Sequence, residues 1–89
     1  MNNKVALESL AMDLKRVSLG YQRNSLKMAD RFYEEAIKRS NEVDTSNVKE
    51  YLKNILKNIH SLKNIAPEKI AEDALMYSTL IQNYTQTNL

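Results

Sequence analysis

The sequence predicts an all-α protein: one domain, residues 1–89, folded as a four-helix bundle in up-down-up-down order. Three observations lead there. Glycine and proline occur once each in 89 residues, too few to turn a chain between short strands. Apolar residues recur at three- and four-residue spacing along almost the whole chain, the period of a helix with one buried face. The second half is punctuated by helix-start signals, which cut the pattern into segments of about 16–20 residues, the length of helices in a compact bundle.

The first helix is expected over residues 4–19. Leu7, Leu10, Ala11, Leu14, Val17 and Tyr21 share one face at about 100° per residue. Gly20 follows, and Asn24-Ser25 is a plausible cap for a second helix over 25–41, whose apolar face is Leu26, Ala29, Phe32, Tyr33, Ala36 and Ile37. A single glycine costs a helix only about 1 kcal/mol. The alternative is therefore one continuous rod over 4–41 beside a helical hairpin. Such a rod would be roughly 55 Å long and would need a second chain to cover its overhang, making a dimer.

The third helix is expected over 47–64. Asp44-Thr45-Ser46-Asn47 is a run of N-cap residues that places its start near Ser46. Its apolar face is Val48, Tyr51, Leu52, Ile55, Leu56, Ile59 and Leu62. The fourth is expected over 67–86. Pro67 suits a first turn, where its missing N–H costs nothing. Ile65 and Ile70 are spaced as a hydrophobic staple, and Glu68 suits the positive end of the helix dipole. Ile70, Ala74, Tyr77, Ile81 and Tyr84 form the inner face, flanked by Ala71, Leu75 and Leu80.

Composition removes several function classes. There is no cysteine, hence no disulfide and no thiolate ligand or nucleophile. The single histidine, His60, has Leu56, Lys57, Lys63 and Asn64 at helical spacing and no carboxylate. No Glu-x-x-His pair of the di-metal bundles occurs, nor any glycine-rich phosphate loop. Glu34-Glu35 and Glu72-Asp73 are adjacent in sequence and so point about 100° apart on a helix, which makes no carboxylate dyad. No enzyme activity, catalytic residue, metal or cofactor is expected. No apolar run reaches the roughly 18 residues of a membrane span, and the charged N-terminal segment does not read as a signal peptide. A cytoplasmic protein is expected.

Thirteen lysines and arginines against eleven acids leave a net charge of +2, too mild to mark a nucleic-acid binder. The local distribution is more informative. On the third helix Lys49, Lys53, Lys57 and His60 fall within roughly 80° beside the apolar arc, and Lys63 continues the line. That edge, about 20–25 Å long, could meet the phosphates of a nucleic acid or the surface of an anionic membrane. It carries no arginine and no interleaved aromatic for base contacts, and lysine is also an ordinary residue for a wet helix edge. The second helix has a mixed face, where Glu34–Lys38 and Glu35–Arg39 are favourable pairs at four-residue spacing.

Two features point to a protein partner. On the first helix Val5, Met12 and Leu19, spaced seven apart, stand away from the main apolar face and form a second stripe, for another helix of the bundle or for a second chain. On the fourth, no charged side chain occurs from Ala74 to Leu89, while Met76, Leu80 and Tyr84 do. Charge depletion with methionine and tyrosine is the composition of interface centres. The sequence therefore predicts a small non-catalytic interaction or regulatory module, binding another protein or itself as a homo-oligomer. Nucleic-acid or anionic-surface binding through the lysine edge is the alternative. A narrower one is an immunity-type protein that blocks a toxin or its receptor, an analogy of size and fold alone.

Overall fold

The computed structural model describes residues 2–89. Four α-helices follow one another: α1 (Asn3–Gln22), α2 (Leu26–Glu42), α3 (Glu50–His60) and α4 (Pro67–Asn88), with single 3-10 turns at Thr45–Asn47 and Leu62–Asn64. Together they form an all-α bundle of 36 × 21 × 19 Å. No dimension accommodates a rod of residues 4–41.

The chain breaks after Gln22 rather than at Gly20. Asn24 takes the left-handed conformation, φ 55°, which asparagine tolerates better than most residues. The Asn24 N–H then donates to the Tyr21 carbonyl at 3.2 Å and the Ser25 N–H to the Gly20 carbonyl at 2.8 Å, the paired bonds of a Schellman ending. Gly20 stays inside α1 for a different reason. A Cβ there would lie 2.8 Å from the Ala29 backbone nitrogen, so the glycine lets α2 fold back closely on α1.

The third helix starts later than its cap residues suggest. Asp44 accepts from the Ser46 N–H at 3.0 Å and its hydroxyl at 2.8 Å, but this closes a lone 3-10 turn. Val48 and Lys49 are extended, and α3 begins at Glu50. The Asn3 side chain clasps the same loop, donating to the Asp44 carbonyl and accepting its N–H at 2.8 and 2.9 Å. At the other end, the chain leaves α3 at His60 and makes a second 3-10 turn, and Pro67 opens α4. Ile65 is exposed while Ile70 is buried.

Lys63 pairs with Asp30 and the Lys49 N–H donates to the Tyr84 hydroxyl. The end of the third segment thus lies beside the start of α2, and its beginning beside the end of α4. Successive helices run in opposite directions, as predicted.

α1 is the centre of the bundle. It packs along its length on both α2 and α4, while α3 touches its neighbours more sparsely. Leu7, Leu10, Leu14, Val17, Leu52, Ile59 and Ile81 are fully buried in one core. Small residues bring α1 and α4 together. The Ser18 hydroxyl donates to the Ala71 carbonyl at 2.8 Å and the Ser78 hydroxyl to the Ala11 carbonyl at 2.7 Å. The two bonds satisfy groups that would otherwise be buried without a partner and fix an antiparallel register. Two residues expected in the core, Leu26 and Tyr51, are instead exposed.

Candidate interaction surface

Each candidate residue can be placed on this frame. On α4, Ile70, Ala74, Ser78, Ile81, Tyr84 and Thr85 are buried. Since α4 turns about 100° per residue, Leu75, Met76 and Leu80 are left on the opposite side, 42%, 47% and 38% exposed. Around them lie Thr79, Gln82, Asn83 and Gln86, all exposed and uncharged. Met76 and Leu80, one turn apart, form a small apolar ridge. Leu75 lies nearer α1 and was expected only as a flank of the buried face. The exposed fraction of its side chain depends on how closely α1 approaches, which the period of α4 alone does not fix.

Tyr84 does not belong to this surface. It is 3% exposed. Its ring meets Tyr51 edge-on at 5.7 Å, and its hydroxyl accepts the Lys49 N–H at 3.2 Å. The charge-free run mixes two environments: its buried half lacks charge because it is core, and its exposed half lacks charge on an open surface.

On α1, Val5 and Met12 are exposed, the latter by 50%, and Leu19 is half-buried. The bundle leaves Val5 and Met12 of this second stripe open and covers much of Leu19. An open groove of about 520 Å³ runs beside it between α1 and α4, with Met12, Glu8 and Lys4 on one wall and Gln82, Gln86 and Leu89 on the other.

The lysine edge is partly dismantled. Lys49, Lys53 and Lys57 are exposed. Lys53 lies 3.8 Å from Glu50, an exposed pair that restrains it little. Lys63 is taken out of the line. It sits in the 3-10 turn after α3, pairs with Asp30, and lies 5.3 Å from the centre of the Tyr33 ring. The hydrogen bond from Lys63 to Asp30 raises the lysine pKa above its ordinary value. The reason is geometric: the helix stops at His60, so Lys63 leaves the α-helical period that aligned it with Lys53. His60 is exposed, with Nε2 3.1 Å from the Ser40 hydroxyl.

One ionisable group is buried away from these surfaces. Asp13, on the α1 side that faces α2, is 7% exposed, and Arg16 lies 3.8 Å from it. Burial raises its pKa, opposed by the positive charges of Arg39 and Arg16. Among the described residues no three His, Asp or Glu side chains converge as a metal site, and no helix is long and apolar enough to cross a membrane. In comparisons with protein-family models, with curated proteins and with solved structures, the chain matches none.

Proposed function

We propose that this protein is a small non-catalytic helical module that works by binding another protein through the outer face of α4. One observation carries the reading: from Ala74 onward the exposed side of α4 has no charge and presents Leu75, Met76 and Leu80 to solvent. On α1, α2 and α3, by contrast, charged residues are spread through the exposed positions, as on solvated helices generally. An apolar ridge rimmed by neutral hydrogen-bonding side chains is the build of an interface core and its rim.

The test is an affinity capture from source-cell lysate with nuclease present, comparing the wild type with the double variant Met76→Glu, Leu80→Glu. Both positions are open, so the fold should be retained, which circular dichroism checks. A protein held by the wild type and lost by the variant supports the reading. Identical protein sets held by both forms would discard it.

A second reading is binding of a nucleic acid or anionic surface by α3, favoured by the joint exposure of Lys49, Lys53 and Lys57 on one edge. It requires retention that vanishes with nuclease, or on vesicles of anionic lipid, and that weakens steeply with salt. Glutamine at these three positions should abolish it, and adding Lys63→Gln should change little, since Lys63 is held by Asp30.

A further inference from the structure

The second stripe of α1, open at Val5 and Met12 and half-buried at Leu19, has a symmetry that α4 lacks. Val5, Met12 and Leu19 are seven residues apart, so they lie about 10 Å apart along the axis and drift only about 20° around it per step. Glu8 and Lys15 are exposed on the flank of the stripe that borders α4. One stands on each side of Met12 along the axis, at nearly equal distances. Neither has an oppositely charged partner among the described residues of its own chain.

We propose that this stripe is the contact of a homodimer, with α1 antiparallel to α1 of a second copy across a two-fold axis beside Met12. The proposal rests on the reading of the chain as an interaction module and names one partner for it. A two-fold contact must be complementary to itself, and this one is. The rotation sets Met12 against its own copy and Val5 against Leu19 of the second copy. It brings Glu8 beside Lys15 of the second copy, and Lys15 beside that copy's Glu8. Parallel pairing, about an axis along the helices, would carry the two charged flanks to opposite sides of the seam and lose both Glu8–Lys15 contacts.

The groove between α1 and α4 lies on the same flank. It gives the incoming Lys15 an apolar bed for its methylenes at Met12, and Glu8 for its ammonium. Gln82 and Gln86 opposite are neutral, and Lys4, one turn before Glu8, is the cation that lines this groove. A stripe about 21 Å long gives a contact at the small end of specific interfaces, roughly 1,000 Å² in total. Reversible association, dependent on concentration, is therefore expected.

Sedimentation equilibrium of the purified chain over a wide concentration range tests this. The wild type should dimerise, and Met12→Glu, at an open position, should sediment as a monomer with unchanged helicity. Glu8→Lys alone and Lys15→Glu alone each turn two attractions into repulsions and should weaken the dimer roughly tenfold. The double variant Glu8→Lys, Lys15→Glu should restore it, because the swapped charges again meet their opposites. A wild type that stays monomeric at every concentration overturns the proposal, as does a dimer that ignores Met12→Glu or is not restored by the swap. Dimerisation that survives Met12→Glu but is lost with Met76→Glu, Leu80→Glu places self-contact on α4 instead. A monomeric wild type leaves lysate capture by α4 standing.

Discussion

Replacing Gly20 by alanine distinguishes a glycine that loosens α1 from one that seats α2. Gly20 has no positive φ and lies within α1, so in an isolated helix alanine would add about 1 kcal/mol of stability. In the bundle the new Cβ would lie 2.8 Å from the Ala29 nitrogen and 2.9 Å from its Cα and Cβ. Carbon contacts settle near 3.5–4.0 Å. The shortfall is roughly 0.7 Å or more, and two of the three atoms are backbone, so no side-chain rotation relieves it. α1 and α2 must move apart. Overpacking of this kind costs about 1–3 kcal/mol, and the rigid neighbour puts it toward the upper end. After the helix gain, a net loss of about 1–2 kcal/mol remains. For a domain of this size that is a fall in Tm of about 5–15 °C. Thermal and urea unfolding followed by circular dichroism measure it. The same substitution should be milder in an Ala29→Gly background, where one of the three crowded atoms is gone. A Tm that rises on Gly20→Ala would refute the close-approach argument.

Three further predictions follow from buried or hydrogen-bonded groups. Asp13→Asn should stabilise the protein at neutral pH. Burial raises the folded pKa of Asp13 above its ordinary 3.8, so the folded state holds the proton more tightly, and this residue's contribution falls as pH rises through that interval. The advantage of the variant should therefore shrink on acidification, and a gap that widens instead would be inconsistent with the cause. Asp44 is the reverse case: hydrogen bonds from the Ser46 N–H and hydroxyl lower its pKa. Its contribution is complete above the ordinary value and lost as pH falls through the lowered one, so Asp44→Ala should flatten acid unfolding over that range. Tyr33→Phe removes the donor to the Ile59 carbonyl at 2.8 Å and the His60 carbonyl at 3.2 Å, and should cost about 1 kcal/mol in urea unfolding.

Much of the fold was legible because its signals are local. Pro67 marked the start of α4, and Asn24-Ser25 marked the turn between α1 and α2, although the asparagine works as the left-handed end of α1. Signals shared between two structures misled. Asp44 and Ser46 can cap a helix or close a 3-10 turn with the same hydrogen bonds, and here they do the latter, which delays α3 to Glu50; at the other end α3 stops at His60, and that takes Lys63 out of its line. The candidate surface was legible by half. Absence of charge marks burial and interface alike, so Tyr84 could not be separated from Met76 and Leu80 without a neighbour in view. Gly20 read in the sequence as the break after the first helix, whereas its role depends on Ala29, nine residues away, and on the close approach of two helices.

The serine ties between α1 and α4 have a kinetic consequence. They join residues 53 and 67 positions apart, so the helix at the centre of the bundle is sealed by the most distant one in sequence. Closing such a loop is entropically slow compared with the local contacts typical of helical proteins. The bundle should therefore fold more slowly than its helix content suggests. It should also open as one cooperative unit, with amides in the middle of α1 and α4 exchanging at the same, slowest rate while α3 exchanges sooner.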